Sequence, residues 1–152
     1  MKKTLLIPFL LFAIVSGTRA QLMDPVQWTY TAKKIADKTY ELHMTAILDN
    51  KWHIYAQDAG EGPEPTSFKF SANPLVKLDG AIKEDGKLEK SFDPNFNSTL
   101  KFYANKVDFV QKVKLKSSVS TVVKGTVTYM TCDDKKCLPP KEIPFSIKVE
   151  AK

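Results

Sequence analysis

The chain is poor in the residues that most often carry chemistry. Its 152 residues hold two cysteines and two histidines. Neither histidine, His43 nor His53, lies near the cysteines in sequence, so two thiolates alone do not complete a tetrahedral metal set and no metal site is expected. The sequence has no nucleophile-elbow motif and no paired-carboxylate motif, which removes the usual signatures of a hydrolase. Helical spacing with a capping residue over ten or more positions is also missing. Beyond residue 20 no apolar run approaches the length of a membrane span.

The one long apolar run stands at the front. Lys2 and Lys3 precede Leu5 to Val15 (LLIPFLLFAIV), and Thr18-Arg19-Ala20 places small residues at −3 and −1 of a cleavage site. This is the pattern of a secretory signal peptide, residues 1–20, too short for a stable transmembrane helix. Cleavage after Ala20 leaves a mature chain, residues 21–152, exported and without stable membrane insertion. The full chain carries a formal charge of +6, but Lys2, Lys3 and Arg19 leave with the signal. A remainder of +3 does not suit a nucleic-acid-binding surface. The mature length suits one domain with a core of its own, expected as a monomer.

Period-two alternation dominates what remains. Val26 to Tyr30, Tyr40 to Leu48, Val107 to Leu115, Val122 to Cys132 and Ile143 to Val149 read as half-buried strands. Asp49-Asn50, Gly60 to Pro65, Asn73-Pro74, Asp79-Gly80, Asp85-Gly86 and Asp93-Pro94-Asn95 read as turns. The predicted fold is all-β, an immunoglobulin-like antiparallel β-sandwich of about seven to nine strands.

Both cysteines fall in one short polar stretch, YMTCDDKKCLPP, Tyr129 to Pro140. A hairpin across Asp133 to Lys136 brings Cys132 and Cys137 within disulfide reach, and an exported compartment permits the bond. Two readings stand at this point. As a staple, a six-residue loop gains only about 2 kcal/mol in the chain-entropy model. As a redox pair, an exposed bond in a tight loop is open to thiol–disulfide exchange. Pro139 and Pro140 offer no N–H to a sheet ladder, which leaves the backbone near Cys137 open to an incoming edge.

The segment VTYMTCDDKKCLPPKEIPFSIKV resembles the end of the N-terminal domain of the thiol:disulfide interchange protein DsbD family. The resemblance implies a periplasmic domain that relays electrons without metal or organic cofactor, as a thiol:disulfide oxidoreductase. Cys132 and Cys137 are then the redox pair, with Cys137 entering the mixed disulfide and Cys132 resolving it. Donor and acceptor are implied to be thioredoxin-fold proteins, in disulfide-isomerase reduction and cytochrome c maturation; because this sequence holds no thioredoxin-like portion, the donor is expected on a separate chain. Lys101 to Lys106 (KFYANK) is similar to the family's cap loop, which assigns shielding to Phe102 and Tyr103. Trp52-His53-Ile54-Tyr55 is similar to an aromatic stretch flanking the active site, making Tyr55 a candidate neighbour of the cysteines. His53 reads as a polar residue alternating out of a strand. Where relatives place acidic residues before the aromatic pair, this chain has Leu100 and Lys101. The competing reading is an exported β-sandwich binding domain with a purely structural hairpin disulfide.

Overall fold

The computed structural model describes residues 24–94 and 96–151, and the signal-peptide expectation for residues 1–20 lies outside them. Ten strands, all paired antiparallel, make up the described residues: β1 (Val26–Ala36), β2 (Thr39–Leu48), β3 (His53–Tyr55), β4 (Ser67–Phe70), β5 (Val76–Leu78), β6 (Lys83–Asp93), β7 (Ser98–Leu115), β8 (Thr121–Tyr129), β9 (Thr131–Cys132) and β10 (Lys141–Val149). They form an immunoglobulin-like sandwich. One sheet runs β1-β2-β7-β3-β9, with β5 and β6 also on β7, and the other runs β10-β8-β4. The strands beyond the expected seven to nine are short ones. β3, β5 and β9 hold two or three residues each, too few to show an alternation.

The alternating runs define the inner faces. On β2, Tyr40, Leu42, Met44, Ala46 and Leu48 are buried; on β7, Tyr103, Val107, Phe109 and Val113 are. Val123, Val127, Phe145 and Ile147 face them from the smaller sheet. Full burial of each large side chain is worth roughly 1.5–3 kcal/mol. Gln111 also points inward, and its Nε2 donates to the carbonyls of Gly80 (3.2 Å) and Lys112 (2.8 Å), so the buried amide is not left unpaired.

Three local features depart from the sequence pattern, and each shapes the site. Asp85-Gly86 is not a turn but part of β6, at a register shift between Gly86 and Leu88. A Cβ on Gly86 would stand 3.1 Å from both the Lys106 carbonyl and the Tyr103 ring, so the residue is small because β7 passes close by. The run Val122 to Cys132 is broken at Met130: β8 belongs to the smaller sheet, whereas β9 pairs with β3 of the larger. A strand changing sheets at a bend is a usual way to close a sandwich corner. Finally, β10 pairs with β8 from Lys141↔Tyr129 onward, so residues 130–140 form an excursion between two paired strands. The cysteines sit in that excursion.

Candidate functional site

Because residues alternate along a strand, the register of β7, β3 and β9 decides which side chains can meet. Ile54 pairs with Tyr103 and Thr131, and all three are buried. His53 pairs with Ala104 on one side and Cys132 on the other, and Cys132 pairs with Cys137 beyond it. This second row points to the opposite face of the larger sheet, away from the inter-sheet core. One step along the same face, Tyr55 pairs with Phe102, and Phe102 with Glu89 of β6. The site is therefore built on the back of the sheet whose front closes the core.

Cys132 and Cys137 are disulfide-bonded, with Cα atoms 4.0 Å apart. The two sulfurs live in different surroundings. Cys132 is 2 % exposed and packs with Tyr55, Ala59 and Leu100, flanked by Phe102 and Met130. Cys137 is exposed. Two backbone bonds bracket the pair, Asp133 N–H to the Lys136 carbonyl and Leu138 N–H to the Thr131 carbonyl, both 2.9 Å. That is the non-hydrogen-bonded kind of antiparallel pair, in which side chains stand closest and the pair's own N–H and C=O turn outward. On the Cys132 side these groups meet β3. On the Cys137 side the larger sheet ends.

The Tyr55 hydroxyl donates to Cys132 Sγ at 3.2 Å. Burial, with the Asp93 carboxylate adding to it, raises the Tyr55 pKa above 10, so the hydroxyl keeps its proton as a donor. Its backbone is also fixed, since the Thr66 hydroxyl donates to the Tyr55 carbonyl at 2.5 Å. The Phe102 ring lies against the His53 ring with centroids 4.5 Å apart, and His53 stands edge-on to Tyr55 at 5.3 Å. These three rings and both cysteines line a groove of about 740 Å³, with Phe92, Phe96 and Trp52 along its walls.

Tyr103 does not reach this groove. It is 3 % exposed in the inter-sheet core, edge-on to Phe109, and its hydroxyl donates to Glu84 Oε2 at 2.8 Å. Consecutive strand residues face opposite ways, so Phe102 and Tyr103 cannot both shield one disulfide; of the two, only Phe102 is placed beside it. Leu100, two residues before Phe102, falls on the same face and fills the floor under Cys132. Lys101 turns instead to Asp58, with which it forms an ion pair. The backbone of the 56–61 segment is tied to β7 by Ala56 N–H to the Lys101 carbonyl, Lys101 N–H to the Ala59 carbonyl, and Glu61 N–H to Ser98 Oγ. Gly60, at φ +97°, allows this approach; a Cβ there would be 2.6 Å from the Thr99 carbonyl.

His53 is the site residue that sequence reasoning passed over. The signal was present: in His53-Ile54-Tyr55, alternation puts His53 on whichever face Tyr55 takes. Burial lowers its pKa below 6.5, opposed by Asp134, Asp133 and Glu89, whose carboxylates favour the charged ring. Among the described residues no group of three or more His, Cys, Asp or Glu side chains is arranged to hold a metal ion.

Comparisons with known proteins bear on the fold and the family. The solved structures similar to the chain in fold include two N-terminal domains. The N-terminal periplasmic domain of ScsB from Proteus mirabilis matches at a TM-score of 0.54 and 16 % identity, covering 83 % of this chain and 45 % of that one. The N-terminal domain of DsbD from Neisseria meningitidis, in the reduced form, matches at 0.52 and 17 %, covering 81 % and 86 %. The chain thus spans less than half the length of the ScsB chain it matches. No curated protein matches it. Residues 19–148 match the family described as "Thiol:disulfide interchange protein DsbD, N-terminal", and the chain belongs to that family.

Proposed function

We propose that this protein is a periplasmic thiol–disulfide relay that exchanges electrons with thioredoxin-fold proteins through Cys132 and Cys137. The observation that carries this reading is the asymmetry of the pair: one cysteine is exposed at the open end of a sheet, and the other is buried in a cluster with Tyr55 and Leu100. Exchange needs an accessible sulfur to form the mixed disulfide and a protected one to resolve it. Membership of the family supports the same chemistry. The pattern of residues 1–20 supports export through a cleavable signal peptide. The pathways served are those implied by the family, disulfide-isomerase reduction and cytochrome c maturation.

The geometry supports the following sequence of steps. In the reduced domain the Cys137 thiolate attacks a sulfur of the partner's disulfide; a Cys137–partner bond forms and the partner's second sulfur leaves as a thiolate, taking a proton. The Cys132 thiolate then attacks Cys137 Sγ, closing Cys132–Cys137 and expelling the partner's first thiolate, which is protonated in turn. Two electrons and two protons pass to the partner, and the domain is left as the disulfide. Loading the domain is the same sequence in reverse, with an incoming thiolate attacking Cys137. Tyr55 is suited to hold a hydrogen bond on Cys132 Sγ as that sulfur gains and loses charge. Phe102 and His53 limit what else reaches it. The outward-facing N–H and C=O of Cys137 provide a short edge on which an extended partner segment can align.

The test is reduction by a protein. Oxidised domain is mixed with a reduced thioredoxin-fold protein, quenched by alkylation and weighed by mass spectrometry. The expected result is two new alkylated cysteines, at a rate far above that with equimolar glutathione. A bond that no thioredoxin-fold protein opens would make it a staple.

A further inference from the structure

The loop between the cysteines carries an organisation of its own that the exchange chemistry does not require. Asp133 Oδ1 accepts two hydrogen bonds from the backbone, Lys135 N–H and Lys136 N–H, each at 2.8 Å. The Asp133 backbone N–H in turn donates to the Lys136 carbonyl at 2.9 Å. One residue thus closes the four-residue turn from both its side chain and its main chain. The Lys136 ammonium extends from the end of that turn over the Trp52 ring, 5.9 Å from its centroid, and Trp52 itself is buried at the head of β3. The turn is thereby tied to the sheet at a point independent of the sulfurs.

We propose that Asp133 is a positioning residue that sets the reduction potential of the pair, by favouring the closed turn that the disulfide requires. The inference rests on the relay reading of the site. Its physical basis is linkage: the Asp133 hydrogen bonds and the disulfide both require the same closed turn. If the bonds persist in the dithiol, they keep the thiols at high effective concentration, and removing them frees the reduced loop. If they loosen on reduction, they favour the oxidised form directly. Both cases give one sign: without the Asp133 acceptor the disulfide is easier to open. The donation from Lys135 and Lys136 N–H also holds the Asp133 carboxyl below its usual 3.8, so the acceptor is fully ionised at neutral pH.

The charge of Asp133 and its hydrogen bonds are separable by substitution. Asp133→Asn removes the charge and keeps a side-chain oxygen in place; Asp133→Ala removes both. Wild type and each variant, as residues 21–152, are equilibrated with mixtures of reduced and oxidised glutathione, extended with dithiothreitol, at pH 7, then alkylated and weighed. In the glutathione balance the dithiol gives two electrons and two protons to one oxidised glutathione, releasing two reduced ones. Asp133→Ala is expected to shift the equilibrium about tenfold toward the dithiol, equivalent to about 30 mV in the oxidising direction. Asp133→Asn is expected to stay within about twofold of wild type. Equal potentials for wild type and Asp133→Ala would overturn the proposal, as would an Asn variant that moves as far as Ala, since charge would then be the cause. Melting of the oxidised variants checks folding. If Ala fails to fold, Asp133→Ser, whose shorter arm keeps one acceptor, is expected to fall between Asn and a full loss, and wild-type behaviour in Ser would count against the role. A wild-type bond that opens only to dithiothreitol contradicts the relay reading, while the ratio between wild type and variants still decides the role of Asp133.

Discussion

The two faces of the larger sheet bury apolar side chains for different ends. On the front, Leu42, Met44, Phe109, Val113 and their partners on β8 and β10 are closed from both sides. On the back, Tyr55, Ala59, Leu100 and Cys132 form a small cluster, with Phe102 and Met130 against it and the exposed residue Cys137 bonded to it. The same strands, β3, β7 and β9, contribute to both through alternate residues. The core and the cysteine pair thus lie on opposite faces of one backbone, and the expectation is that the bond on the back opens without disturbing packing on the front.

That separation can be broken experimentally, and the largest effect lies in the core. Phe109→Ala is expected to cost about 3–5 kcal/mol in denaturant unfolding, while the fraction that stays folded exchanges disulfides as before. Reducing Cys132–Cys137 in the wild type, by contrast, should lower stability by only about 2 kcal/mol, because the loop it closes is short. A reduced protein that loses its near-UV signal would show that the two faces are not independent.

The adjacent aromatics sharpen the comparison at the scale of one residue. Phe102→Ala is expected to speed reduction by a small thiol such as glutathione several-fold, with little change in unfolding. Tyr103→Phe, which deletes the bond to Glu84, should do the reverse: about 1 kcal/mol of stability lost and an unchanged rate of reduction. Stopped-flow reduction and chemical denaturation of the two variants read both quantities. Similar rates for the pair would remove shielding from Phe102.

The smallest effect expected is one of pH. The folded pKa of His53 lies below 6.5, so the unfolded chain takes up its proton first as pH falls. Its contribution to stability is complete above about 6.5 and declines as pH drops through that value toward the lower folded pKa. His53→Gln should flatten this segment of the stability curve. A variant with the same slope as wild type between pH 7 and 5 would locate the titration elsewhere.

Much of this was legible in the sequence, and the limits have physical causes. Strands with one face on a core write themselves as alternation, so β1, β2, the second half of β7, β8 and β10 are visible. The cysteine pair is visible because its spacing and charged loop stand out against a chain with no other thiol. What alternation cannot show is which sheet a strand joins: the change at Met130 leaves β8 and β9 looking like one run. Nor does a turn signal show its context, and Asp85-Gly86 proved to be an irregularity within β6. The pairing of Phe102 with Tyr103 as a cap was a different matter. The parity rule applied to adjacent strand residues already separates them, and the same rule brings His53 to the side of Tyr55.

The claim on which the rest turns is that the exposed cysteine, Cys137, reacts and the buried one, Cys132, resolves. It is tested by offering Cys132→Ser and Cys137→Ser to a thioredoxin-fold protein whose single active-site cysteine carries a thionitrobenzoate group, and following release of the coloured thiolate. The account predicts rapid release and a covalent heterodimer with Cys132→Ser, which retains Cys137, and neither with Cys137→Ser. Equal reaction of both variants, or of Cys137→Ser alone, would contradict it.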